Sequence, residues 1–168
     1  MINLILRNIA RFVVLILIQV IILDNIQLSH YAIPFMYVLF LLLLPFETPG
    51  WLVLILGFIL GFTVDLFEHT YGIHTAATVF LAFLRPLILK VVAPRDGYGS
   101  NTYPRIYYFG LTWFLKYTFI LVFFHHLFLF YFEAFSFHHF FSTFLRVLLS
   151  TLFSVTLIVL SQYFMYRK

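Results

Sequence analysis

Residues 50–67 read GWLVLILGFILGFTVDLF, an apolar run broken by a single charge, Asp65. A helix needs about 20 predominantly apolar residues to cross ~30 Å of hydrocarbon. This stretch therefore reads as a membrane span, and the rest of the chain repeats its character. Of 168 residues, 64% are hydrophobic and 10% are charged, where a soluble domain runs about 25% charged. Mean hydropathy is +1.05. So little polar surface cannot cover a soluble core, and disorder needs the opposite composition. A polytopic membrane protein remains. Cysteine is absent, which excludes disulfide frameworks, zinc–thiolate sites, haem attachment and thiol catalysis.

Charges, prolines and polar clusters divide the chain into expected spans at about 9–28, 31–46, 50–67, 73–93, 106–132 and 140–166. Arg7 and Arg11 before the dense run 12–23 resemble the start of a signal peptide, but no small-x-small cleavage site follows, so a retained first helix is expected. The second run lies between Pro34 and Pro45 and is short, about 24 Å by helical rise. Residues 94–105 form the only real linker. The expectation over 1–168 is one all-α domain, a six-helix transmembrane bundle.

Six spans put both termini on one side. Arg7, Arg11, Lys90, Arg95, Arg105, Arg167 and Lys168 fall at the N-terminus, the linker or the C-terminus. The opposite connections hold Asp24, His30, Glu68, His69, Glu133, His138 and His139, with Arg146 the one basic residue near them. Lys and Arg mark the cytoplasmic face, so both termini are expected there. This topology, rather than nucleic acid, accounts for the net charge of +4.

Polar residues at membrane depth are costly and need a reason. Gly57, Gly61 and Asp65 recur every fourth residue, followed by Glu68 and His69. Such a stripe packs closely against another helix, and a packing groove with a polar rim is its commonest meaning. The functional reading makes it a face for a partner's helix, with Asp65 and Glu68 at the rim, or makes Asp65 an ion-binding carboxylate. In the fourth run His74, Thr78, Leu81 and Arg85 share a face, and Pro86 frees the Ala82 carbonyl. Arg85 and Asp65 are offset by about 13 Å by helical rise, which pairs Arg85 with Glu47 and Asp65 with Arg146. Snorkelling to head groups is the other option for both arginines. Lys116, deep in the fifth run, is expected to face the bundle. Arg146, Ser150 and Ser154 form a seam on the sixth.

His125, His126, Glu133, His138 and His139 gather near one end of the last two runs. A metal site needs convergent ligands, yet no His-Glu-x-x-His occurs, and adjacent histidines on a helix diverge by about 100°. No metal or cofactor is expected. Neither a phosphate loop nor a Gly-x-Ser-x-Gly elbow is present.

Residues 56–67, LGFILGFTVDLF, are followed by Tyr71-Gly72-Ile73-His74-Thr75-Ala76-Ala77 and then Ala82-Phe83-Leu84-Arg85-Pro86. Together they resemble the central motif of the rod-shape-determining MreD family. The 45–49 turn, PFETP, and the 94–98 segment, PRDGY, are similar to those of Bacteroidetes-type members. The motif covers about a fifth of the chain, and length and span count match throughout. The resemblance implies a non-enzymatic membrane scaffold of the cell-elongation complex. It implies work beside the bitopic protein MreC, the actin-like MreB, and the peptidoglycan synthase pair of RodA and a class B penicillin-binding protein. It also implies a fold similar to the substrate-binding subunits of energy-coupling-factor transporters. The rival expectation is a small-molecule binding or transport subunit with Asp65, His74, Arg85 and Lys116 lining a pocket. An intramembrane metal enzyme built on the histidines is the third.

Overall fold

The computed structural model describes residues 2–25, 32–99, 102–135 and 140–164. His30, His138, His139, Arg167, Lys168 and the expected span ends at 26–28, 31 and 165–166 lie outside them. The described residues form helices α1 (Ile2–Leu17), α2 (Leu39–Leu42), α3 (Gly50–Glu68), α4 (Ile73–Val91), α5 (Ile106–Ala134) and α6 (Phe140–Phe164). A π-helical segment, Ile18–Leu23, continues α1. Five helices are long and apolar enough to cross a membrane: Leu6–Leu23, Gly50–Glu68, Ile73–Val91, Ile106–Ala134 and Phe140–Phe164. The protein is thus an all-α, multi-pass membrane protein.

The expected second span is not a membrane-spanning helix. Only the four residues of α2 are α-helical there, yet residues 34–44 are all buried. Phe35 packs on His74, His125 and His126. Phe46 packs on Tyr98, Phe109 and Trp113. The first set lies toward the α3–α4 turn, the second by the α4–α5 linker. The segment therefore runs through the bundle from the turn end to the linker end. Its length explains its shape. Five extended residues cover about 16 Å and eight in tight helical turns about 12 Å, close to the ~30 Å of a bilayer core. A helix of the same residues falls short. Pro34, which has no N–H, fits the extended part.

Around this crossing, α3, α4, α5 and α6 pack in chain order, and α1 lies against α2 and α3. Gly110 breaks α5 with φ 78° and ψ 168°, a conformation glycine adopts without a Cβ penalty. The membrane-crossing part of α5 thus begins after it, and Ile106–Phe109 is a separate first turn.

Candidate functional site

The interior is polar because the crossing is not a helix. Non-helical backbone at membrane depth is tolerated only where protein groups satisfy it, and side chains from four elements do so. Gln19, fully buried, acts like a strand edge. Its Nε2 donates to Pro34 O at 3.1 Å, and its Oε1 accepts from Met36 N at 2.9 Å. Ser150 and Ser154 of α6 accept from the Ile33 and Phe35 N–H groups at 3.1 and 2.9 Å. At the linker end Tyr117 donates to Leu42 O at 3.0 Å. Arg85 donates to Leu44 O and Pro45 O, and its Nε donates to Tyr117 Oη at 3.1 Å.

A second set of polar groups forms a continuous chain. His74 Nε2 lies 2.9 Å from Glu68 Oε2, and His74 Nδ1 lies 2.8 Å from the Tyr37 hydroxyl. That hydroxyl is 3.1 Å from His125 Nε2. An ionised carboxylate only accepts, so with Glu68 ionised and His74 neutral the directions follow. His74 donates from Nε2, Tyr37 donates to His74 Nδ1, and His125 donates to Tyr37. His125 Nδ1 is then a bare acceptor, and it has no partner. His126 Nδ1 meets Thr151 Oγ1 at 3.1 Å.

The chain opens onto a 370 Å³ cavity at the turn end, lined among others by Asp24, Phe35, Glu68, His74, Glu133 and Arg146. Burial, then the neighbouring Glu68, pushes Asp24 up to about 6, although Gln19 donating to it at 2.7 Å pulls the other way. The Glu68 Oε1 oxygen is buried without a donor.

The expected site residues are placed as follows. Gly57 and Gly61 do make a close helix approach, but to α4 of their own chain. A Cβ on Gly57 would stand 3.0 Å from Ala82 Cβ, and one on Gly61 2.5 Å from Thr75 Cα. The groove is filled by α4. Asp65 accepts from the His74 and Thr75 N–H groups at 3.0 and 2.8 Å and from the Thr70 and Thr75 hydroxyls. It caps α4 from a neighbouring helix, with its charge at the positive end of the helix dipole. It does not pair with Arg146. That residue instead pairs with Glu133 at 3.2 Å and lies over the Phe130 ring. Arg85 is 2% exposed, so it does not snorkel. Its partners are carbonyls and Tyr117, not Glu47, which is exposed. Lys116 is exposed too, a correction whose reason is the break at Gly110. Only about six residues separate them, roughly 9 Å, so the ammonium is within snorkelling reach of the linker end. Glu68 and His74 join the polar chain. Asp65, His74, Arg85 and Lys116 do not line one pocket; of these, His74 alone borders the cavity.

Sequence reading missed Gln19, Tyr37, Tyr117 and Asp24. A usable signal existed: a short run between two prolines needs unwinding, and unwound chain needs donors and acceptors from its neighbours. Among the described residues no group of His, Asp and Glu could hold a metal ion. No protein-family model, curated protein or solved structure matches the chain.

Proposed function

We propose that this chain is an MreD-like membrane scaffold of the bacterial elongation machinery, acting through its surfaces on a bitopic partner of the MreC type. The observation that carries the reading is the use to which the motif residues are put. Gly57, Gly61 and Asp65 fix α3 to α4, and His74 and Arg85 hold the two ends of the crossing. The motif therefore specifies one rigid body. Polar groups spent on internal backbone leave apolar helix faces for association.

With the glycine stripe occupied, the partner's helix is assigned to the apolar groove between α3, α4 and α5. It is lined by Leu54, Phe58, Phe62, Val79 and Phe83, with Ala76 on its floor. Its volume is 680 Å³. RodA, the class B penicillin-binding protein and MreB are placed farther along the same assembly. The membrane is the bacterial cytoplasmic membrane. The linker end, with Arg7, Arg11, Lys90, Arg95 and Arg105, faces the cytoplasm.

The chain, co-expressed with the MreC-like protein of the same genome, should copurify with it, and depletion should round rod-shaped cells. Ala76→Phe should abolish copurification while the melting temperature stays unchanged. Reporter fusions at Gly97 should read cytoplasmic and at Glu133 external. Loss of copurification with every groove residue intact would overturn the scaffold. The small-molecule alternative rests on the 370 Å³ cavity, and a bound metabolite released on replacing Asp24 or Glu133 would favour it.

A further inference from the structure

The ring of helices is open on one side. α6 packs on α5 and α1 on α3, but α1 and α6 are not packed face to face. Between them runs a fissure of 570 Å³, walled by Val14 of α1 and Ile18 of the π-helical segment that continues it, and floored by Met36 and Leu39 of the crossing. Arg7, Arg11 and Arg105 stand at its linker end.

Among the described residues no acidic side chain pairs with these arginines. All six acidic side chains belong to described residues, and the ion pairs among the described residues are Glu68–His74 and Glu133–Arg146. Arg7 and Arg105 each lie over the Tyr103 ring, at 5.8 and 5.7 Å from its centroid. Arg11 donates to the Leu43 carbonyl at 3.4 Å. The Arg105 Nε is buried with no acceptor. Burial, then the like charge of Arg7, pushes the Arg105 guanidinium down from its ordinary value. No acidic side chain follows Glu133 in the sequence, and Arg167 and Lys168 carry the same sign as the cluster.

We propose that the α1–α6 fissure binds one anionic phospholipid, its phosphate held by Arg7, Arg11 and Arg105 and one acyl chain lying along Val14, Ile18 and Leu39. Arginine forks match phosphate oxygens. From Arg11 to Ile18 the wall runs about 10 Å, so a cationic head sits above a hydrocarbon slot open to the bilayer. A soluble anion would use the head and leave the slot empty.

The test titrates purified, delipidated protein with phosphatidylglycerol, phosphatidylcholine or inorganic phosphate. Native mass spectrometry counts adducts and melting temperature is the second readout. Phosphatidylglycerol should bind about tenfold more tightly than phosphatidylcholine, and inorganic phosphate should leave the melting temperature unchanged. Arg11→Gln and Arg105→Gln should each weaken phosphatidylglycerol about fivefold. Lys90→Gln, at the same end but outside the fissure, should not. Val14→Trp should reduce adducts of both lipids. If Arg105→Gln does not fold, Arg7→Gln serves, since Arg7 is exposed. Equal binding of the two lipids, stabilisation by inorganic phosphate, or indifference to the arginine variants would each overturn the proposal.

Discussion

The α3–α4 pair and the buried crossing occupy neighbouring parts of the same interior and solve opposite problems. In the pair each backbone satisfies itself, so the contact needs only small residues, and Gly57 and Gly61 provide them. In the crossing the backbone is unsatisfied, so Gln19, Arg85, Tyr117, Ser150 and Ser154 serve as its solvent. A polar residue inside a membrane helix is thus explained by the chain it faces. Arg85 looks like a ligand-binding cation from its own helix and proves to be a carbonyl clamp.

The comparison breaks most visibly at Gly61. A side chain there meets Thr75 Cα at 2.5 Å and His74 O at 2.6 Å, so Gly61→Leu forces backbone apart, at a cost of about 3 kcal/mol or more. It should yield no monodisperse protein on size exclusion. A well-folded Gly61→Leu protein would mean that the pair is looser than described. Next comes Arg85→Gln, which strips charged hydrogen bonds from buried carbonyls. Thermal unfolding should show a loss of about 2–3 kcal/mol. Gln19→Leu should lose about 2 kcal/mol by orphaning Pro34 O and Met36 N. Arg146→Gln provides the contrast. Its pair with Glu133 is 27% and 43% exposed, so the change should stay below about 1 kcal/mol. A larger effect than that of Arg85→Gln would invert the account.

The smallest effect is on pH. Asp24 titrates near 6 when folded, against an ordinary 3.8, so the folded state holds the proton more tightly. That contribution is full below the unfolded value and is lost as pH rises through the folded one. Detergent stability should therefore fall between about pH 4 and 6, with Glu68 and His74 as the facing groups. Asp24→Asn should flatten that fall, and an unchanged pH profile would remove Asp24 from the polar chain.

The long helices were legible because eighteen or more apolar residues admit few other readings. The shared face of His74, Thr78, Leu81 and Arg85 was legible too, since all four are buried. The second span was misread because hydropathy reports burial, not conformation: residues 35–44 are as buried as any helix and only partly wound. The pairings failed for a related reason. Axial offsets were counted between charges, whereas Asp65 and Arg85 bind backbone, whose position no side-chain count reveals.

The crossing also sets an order of assembly. Ile33 and Phe35 donate to serines that lie 117 and 119 residues further along the chain. During synthesis these N–H groups have no native acceptor until α6 is made. The second passage is therefore completed last, although it is made second. A ribosome stalled before Ser150 leaves a nascent chain whose centre is still open, and a quality-control protease that samples unpaired backbone in the membrane has that whole interval in which to act.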